Sequence, residues 1–260
     1  MAGEEWARRI VEKELGRTVV INDDGSAPSM YDLRVGPADA PEIAIECVGA
    51  VDPTYTETWN IGPAKGPLRL SISGDWIVEI APTAQVKAVR QGLEQHLQVL
   101  ESQGIYKVNV DYELEWRNPV LFNTLNSLNI THASCYEQQG TGKVYLTMPG
   151  NGGAVDEHGI AVPGWVGEFL RDSARQDVLS KLQRSGAPHR QAFLLVAFIG
   201  APWAVESYLS ANLDHLPSQA PDLPAPVTGV WVVSGMGQRG LRWDGDSWKV
   251  FNTRGEEIED

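Results

Sequence analysis

Two acidic residues on neighbouring strand-like runs carry the clearest chemical signal in this sequence: Asp32 within residues 30–35 and Glu46 within residues 43–48. The turn-rich stretch Gly36-Pro37-Ala38-Asp39-Ala40-Pro41 joins the two runs, as a hairpin connection would. Strand side chains alternate between faces, so Met30, Asp32 and Arg34 share one face of the first strand, and Ala44, Glu46 and Val48 one face of the second. Where those faces coincide, the two carboxylates lie side by side. Such a pair among apolar neighbours costs free energy unless a cation, a proton or a basic side chain offsets the repulsion. A divalent-metal site is therefore the first chemistry these residues imply.

The elements that must position the pair follow from periodicity. Residues 4–15 predict a helix with Trp6, Ala7, Ile10, Val11 and Leu15 on one side and Glu14 near the edge of that stripe. A short strand is expected at 18–21, followed by the turn Asn22-Asp23-Asp24-Gly25-Ser26, whose aspartates are explained by turn formation. Beyond the pair, strands are expected at 68–72 and 76–80, a helix at 83–103 ended by Gly104, and strands at 107–116, 133–136 and 144–148. The second half predicts a long or broken helix from Trp165 to Leu182, an apolar strand at 192–199, a helix at 202–213, a strand at 229–233 and a hairpin at 242–248 turning at Asp244-Gly245. The acidic tail 256–260 is expected to fray. The fold class is α/β, a mixed sheet flanked by helices, divided as a core of residues 1–150 with an α/β half of residues 151–260 packed on it, or one continuous domain.

The order of helix, Asp-bearing strand and Glu-bearing strand resembles the PD-(D/E)xK nuclease superfamily, also called the restriction-endonuclease-like fold. The resemblance covers roughly the first hundred residues, and on it rest several expectations. Asp32 and Glu46 bind Mg2+, with Mn2+ able to substitute; Cys47 is the intervening residue and offers its carbonyl; and Glu14 is the candidate for an extra acid supplied by the first helix. Val48 stands at the lysine position, where the family has the group that positions and activates water. Arg34 is the nearest replacement. It can reach a phosphate and stabilise charge without accepting a proton, or it can pair with Asp32 or Glu46 and neutralise the site without a metal. Lys65 and Lys181 are weaker candidates, since only tertiary contact would bring either to the pair.

Two functions from different classes follow. One is a Mg2+-dependent phosphodiesterase acting on nucleic acid. The other is a catalytically inactive nuclease-like fold serving as a protein-interaction or regulatory module. The net charge of −13, with 21 Lys and Arg against 34 Asp and Glu, disfavours tight nucleic-acid binding, though a local basic patch or bound cations reverse such a field at a site. Pairing as a homodimer is implied by the resemblance alone. The longest apolar run, 192–201, is too short to span a bilayer, and with no apolar signal region at the start a cytoplasmic location is expected. Two cysteines, Cys47 and Cys135, make no disulfide framework. The five histidines lack metal spacing, and Gly140-Thr141-Gly142-Lys143 lacks the full phosphate-loop pattern and is expected to be a hairpin turn.

Overall fold

A computed structural model describes residues 2–25, 29–197, 199–211, 214–235 and 239–253. In chain order its elements are α1 (Ala2–Leu15), β1 (Val19–Ile21), β2 (Leu33–Val35), β3 (Ile43–Ala50), α2 (Pro53–Ile61), β4 (Leu68–Arg69), β5 (Asp75–Ile80), α3 (Val86–Ser102), β6 (Lys107–Asn109), α4 (Tyr112–Arg117) and α5 (Pro119–Asn126). They continue as β7 (Ile130–Glu137), β8 (Lys143–Thr147), α6 (Ala161–Arg171), α7 (Gln176–Arg184), β9 (His189–Val196), α8 (Trp203–Ser210), β10 (Gly229–Ser234), β11 (Arg239–Trp243) and β12 (Trp248–Asn252). The α/β class with mixed sheets and flanking helices holds. The acidic tail and Ser26 lie outside the described residues.

The chain separates into two compact units, one made of Met1–Val51 with Asn151–Asp260 and the other of Asp52–Gly150. The expected division into residues 1–150 and 151–260 is corrected accordingly. The reason is non-local pairing: β3 runs parallel to β9, from Ile43 opposite His189 to Ala50 opposite Val196. Residues either side of the 52–150 segment thus build one sheet.

That sheet has the order β1-β2-β3-β9-β10-β11-β12. β9 and β10 are parallel and joined through α8, while β10, β11 and β12 follow one another antiparallel. β10 is buried along its whole length and β3 along most of its length, which is why these strands are nearly continuous apolar runs rather than alternating ones. Their side chains feed two cores. On one face Leu33, Val35, Ile43, Ile45, Phe193 and Trp231 pack with the α1 stripe of Trp6, Ala7, Ile10 and Val11. On the other, Ala44, Val48, Ala192, Leu194, Val230 and Val232 pack with Val166 and Leu170 of α6, Val178 and Leu182 of α7, and Val205 of α8. Of the long or broken helix expected from Trp165 to Leu182, the broken form is found: α6 and α7 part at Asp172, which leaves the helical conformation at ψ 137° and caps the following turn by accepting from the Ala174 N–H at 2.8 Å.

The second unit is a five-stranded sheet of order β4-β8-β5-β7-β6. α3 buries Val86, Val89, Leu93, Leu97 and Leu100, the three-and-four spacing of an amphipathic helix. Residues 140–143 do not form a hairpin turn, because β5 lies between β7 and β8 in the sheet. The Thr141 and Lys143 N–H groups instead donate to Asp75 Oδ1 at 2.6 and 2.8 Å. A side chain at Gly140 would collide with that carboxylate. The expected strand 107–116 ends at Asn109, after which Asp111 accepts from the Leu114 N–H at 3.1 Å and starts α4.

Candidate functional site

β2 and β3 pair antiparallel with Leu33 opposite Ile45 and Arg34 opposite Ala44. Continuing that register by one residue sets Asp32 opposite Glu46, on the sheet face covered by α6, α7 and α8. Asp32 immediately precedes β2, and its Oδ2 accepts the Cys47 N–H at 2.6 Å. The carboxylate is thereby held against the backbone of the strand that carries Glu46. Both acids are buried, Asp32 at 6% and Glu46 at 4% relative exposure, too deep for water alone to solvate their charges.

The basic partner is Lys181. Its Nζ donates to Glu46 Oε1 at 2.6 Å, across 135 residues of sequence. Val178 and Leu182 anchor α7 on the sheet, and Lys181, three residues after Val178 and one before Leu182, extends from the edge of that buried stripe. Val48, at the position where the resemblance expects lysine, is buried at 7% and packed in the apolar core opposite Leu194. A lysine there would carry its charge into that core. The second oxygen of Glu46, Oε2, is buried and has no hydrogen-bond partner.

The electrostatics follow from burial. Desolvation pushes Glu46 up to about 8; Lys181 opposes this, and Asp32 and Asp177 reinforce it. Desolvation also raises Asp32, against the Cys47 N–H and Lys181 and with the help of Glu4 and Asp23. Burial alone would lower the Lys181 ammonium, but Glu46, Asp32 and Asp23 outweigh it and the group is held above its ordinary value. Lys181 therefore stays protonated at neutral pH and is a donor and charge stabiliser, not a base. Burial raises both carboxyl groups in spite of the ammonium beside them.

The other expected residues fall as follows. Arg34 lies on the same face as the acids but forms no ion pair with either among the described residues, and its Nε and Nη1 are buried without hydrogen-bond partners. Cys47 packs its side chain against the α1 core, and burial raises its thiol well above the ordinary value. Glu14 is exposed, so the expectation that it joins the site is corrected. Of the α1 acids it is Glu4 whose charge is felt at Asp32. The two lie ten residues apart, about 15 Å along a helix, and the N-terminal end of α1 is the one near the acids. Lys65 is exposed and belongs to the other unit.

Among the described residues no three His, Cys, Asp or Glu side chains converge as a ready-made metal cage. Mg2+ does not require one, since it is commonly held by one or two carboxylates and completes its shell with water and substrate phosphate. The orphaned Glu46 Oε2 and the buried Asp32 beside it fit such an ion. No helix among the described residues is long and apolar enough to cross a membrane. In comparisons with known proteins, no family model, no curated protein and no solved structure matches this chain.

Proposed function

We propose that Asp32, Glu46 and Lys181 form the site of a divalent-metal-dependent phosphodiesterase acting on nucleic acid, of the PD-(D/E)xK kind, with its lysine supplied by α7 instead of the Glu-bearing strand. The observation that carries this reading is the 2.6 Å contact between Lys181 Nζ and Glu46 Oε1, which puts an ammonium beside the acid pair although the strand itself carries valine. Asp32 and Glu46 would hold Mg2+, with the Cys47 carbonyl as a third donor. When bound, the ion supplies Lewis-acid stabilisation of a phosphoryl oxygen and lowers the pKa of a coordinated water.

The chain's own residues do the rest. The Cys47 N–H fixes Asp32, and the buried face around Val48 keeps the acids from being levelled by solvent. Lys181 holds a proton beside the reacting centre, where it can offset charge gathering on the phosphate and protonate a departing oxygen.

Calorimetric titration of the whole chain with Mg2+ and with Mn2+, paired with cleavage of linear and supercoiled DNA, tests the proposal. Wild type should bind the ions and cleave; Asp32→Ala and Glu46→Ala should lose both; Lys181→Met should keep ion binding and lose cleavage. Absence of both ion binding and cleavage in wild type refutes the proposal. Asp32, Glu46 and Lys181 would then be a buried ion-pair cluster in a non-catalytic module.

A further inference from the structure

The register that aligns the acids also aligns two arginines. Arg34 of β2 is opposite Ala44 of β3, and Ala44 is opposite Arg190 of β9, so the three side chains form a lateral row on one sheet face. That face is the one bearing Glu46, which is opposite Ala192. The arginine row lies two residues along the strands from the acid row, about 6.6 Å away. Arg34 and Arg190 are separated by two strand spacings, about 10 Å between backbones, with only the methyl of Ala44 between them.

Neither guanidinium is neutralised. Arg34 Nε and Nη1 and Arg190 Nε are buried and lack hydrogen-bond partners, and neither residue forms an ion pair among the described residues. Unpaired buried donors are costly, and a guanidinium fork is suited to the several oxygens of a phosphate. In a chain with a net charge of −13, two partly buried arginines with no acid attached are a specific local reversal of sign.

We infer that Arg34 and Arg190 form a second phosphate subsite, which holds the phosphate neighbouring the one presented to Asp32 and Glu46. This rests on the phosphodiesterase reading and narrows it: the substrate is a strand with at least two consecutive phosphates, not a single-phosphate diester. The arginines are positioning residues, since they grip a part of the strand that does not react.

The test is binding of a fluorescein-labelled single-stranded DNA 12-mer to the full chain by anisotropy, over a range of salt concentrations, with Ca2+ in place of Mg2+ to prevent turnover. Calorimetry with Mg2+ and Mn2+ runs alongside. The double variant Arg34→Gln/Arg190→Gln should bind the DNA at least about tenfold more weakly, and the slope of log K against log salt should flatten by about 0.7, the value for one single-strand phosphate. The Arg34→Lys/Arg190→Lys variant should recover most of the slope but only part of the affinity, because lysine keeps the charge and loses the fork. Ion binding should be unchanged in both. If the double glutamine variant does not fold, each single glutamine variant should weaken DNA binding and carries the same comparison. Unchanged DNA affinity and slope in the glutamine variants, or no DNA binding by wild type, overturns the subsite. Calorimetry separately decides whether the metal reading stands.

Discussion

Replacing Glu46 by glutamine should change how the stability of this protein depends on pH. Burial raises Glu46 from an ordinary 4.5 to about 8, so between those values the folded state keeps a proton that the unfolded chain has already released. Stability from this group is complete below the unfolded value and falls as pH rises through the window, by about 1.4 kcal/mol per pH unit for one proton. Between about pH 5 and pH 7 the wild-type fold should lose roughly 2–3 kcal/mol on this account, equivalent to a melting shift of roughly 5–10 °C in a chain of this size. Glu46→Gln removes the titrating group and keeps the shape, so its stability should lack that slope. Lys181, whose raised value lies well above the window, contributes equally throughout. Thermal or urea unfolding of both proteins across this range, with chelator present, gives the difference directly. If the two stability curves stay parallel to within about 0.5 kcal/mol, Lys181 keeps Glu46 fully ionised and the argument from burial is wrong.

Three further outcomes follow. Mg2+ binding near pH 7 should release protons, because a cation favours the ionised carboxylates, and the apparent binding heat should therefore vary with the ionisation enthalpy of the buffer; a buffer-independent heat would count against raised acids in the apo site. Gln191→Leu should cost about 1–3 kcal/mol, measurable by urea unfolding, because the buried Trp231 Nε1 donates to Gln191 Oε1 at 2.7 Å and would be left without an acceptor. Asp75 is held below its ordinary value by the Lys143 and Thr141 N–H groups, so its stabilisation is present above that value and lost on acidification. Asp75→Asn should lower the melting temperature at neutral pH, with the gap from wild type narrowing as the pH falls below the ordinary carboxylate value.

The parts of the fold legible in the sequence are those whose burial leaves a periodic trace. α1, α3, β3, β9 and β10 carry either an apolar stripe or a continuous apolar run, and each is found close to where that pattern puts it. α4 was obscured because Val108, Val110, Tyr112, Leu114 and Trp116 alternate as in a strand. Val108 is buried in β6, but Tyr112 and Trp116 are 80% and 79% exposed, so beyond β6 the alternation does not mark a buried strand face. The better guides were Asp111 and Asn118, whose side chains cap α4 and α5, and Asp52 before Pro53, which caps α2. The acid pair was legible because a hairpin register is local. Lys181 could be named only as a candidate and Arg190 not at all, because which face α7 covers and which strand β9 joins depend on pairing across the intervening sequence. No spacing rule encodes a contact 135 residues away.

That long separation has a consequence for how the protein comes into being. Both carboxylates are synthesised before the 52–150 unit and their ammonium after it. An emerging chain holding only residues 1–51 has the acids but neither the strand that β3 needs as its parallel neighbour nor the helix that carries their counter-charge. Burial of Asp32 and Glu46 must therefore wait for α7 and β9, and the acids stay hydrated until then. Closure of so distant a contact makes this unit slow to form relative to one built of local pairings. The acid pair and its ammonium come together only when the last third of the chain has folded back onto the first strands.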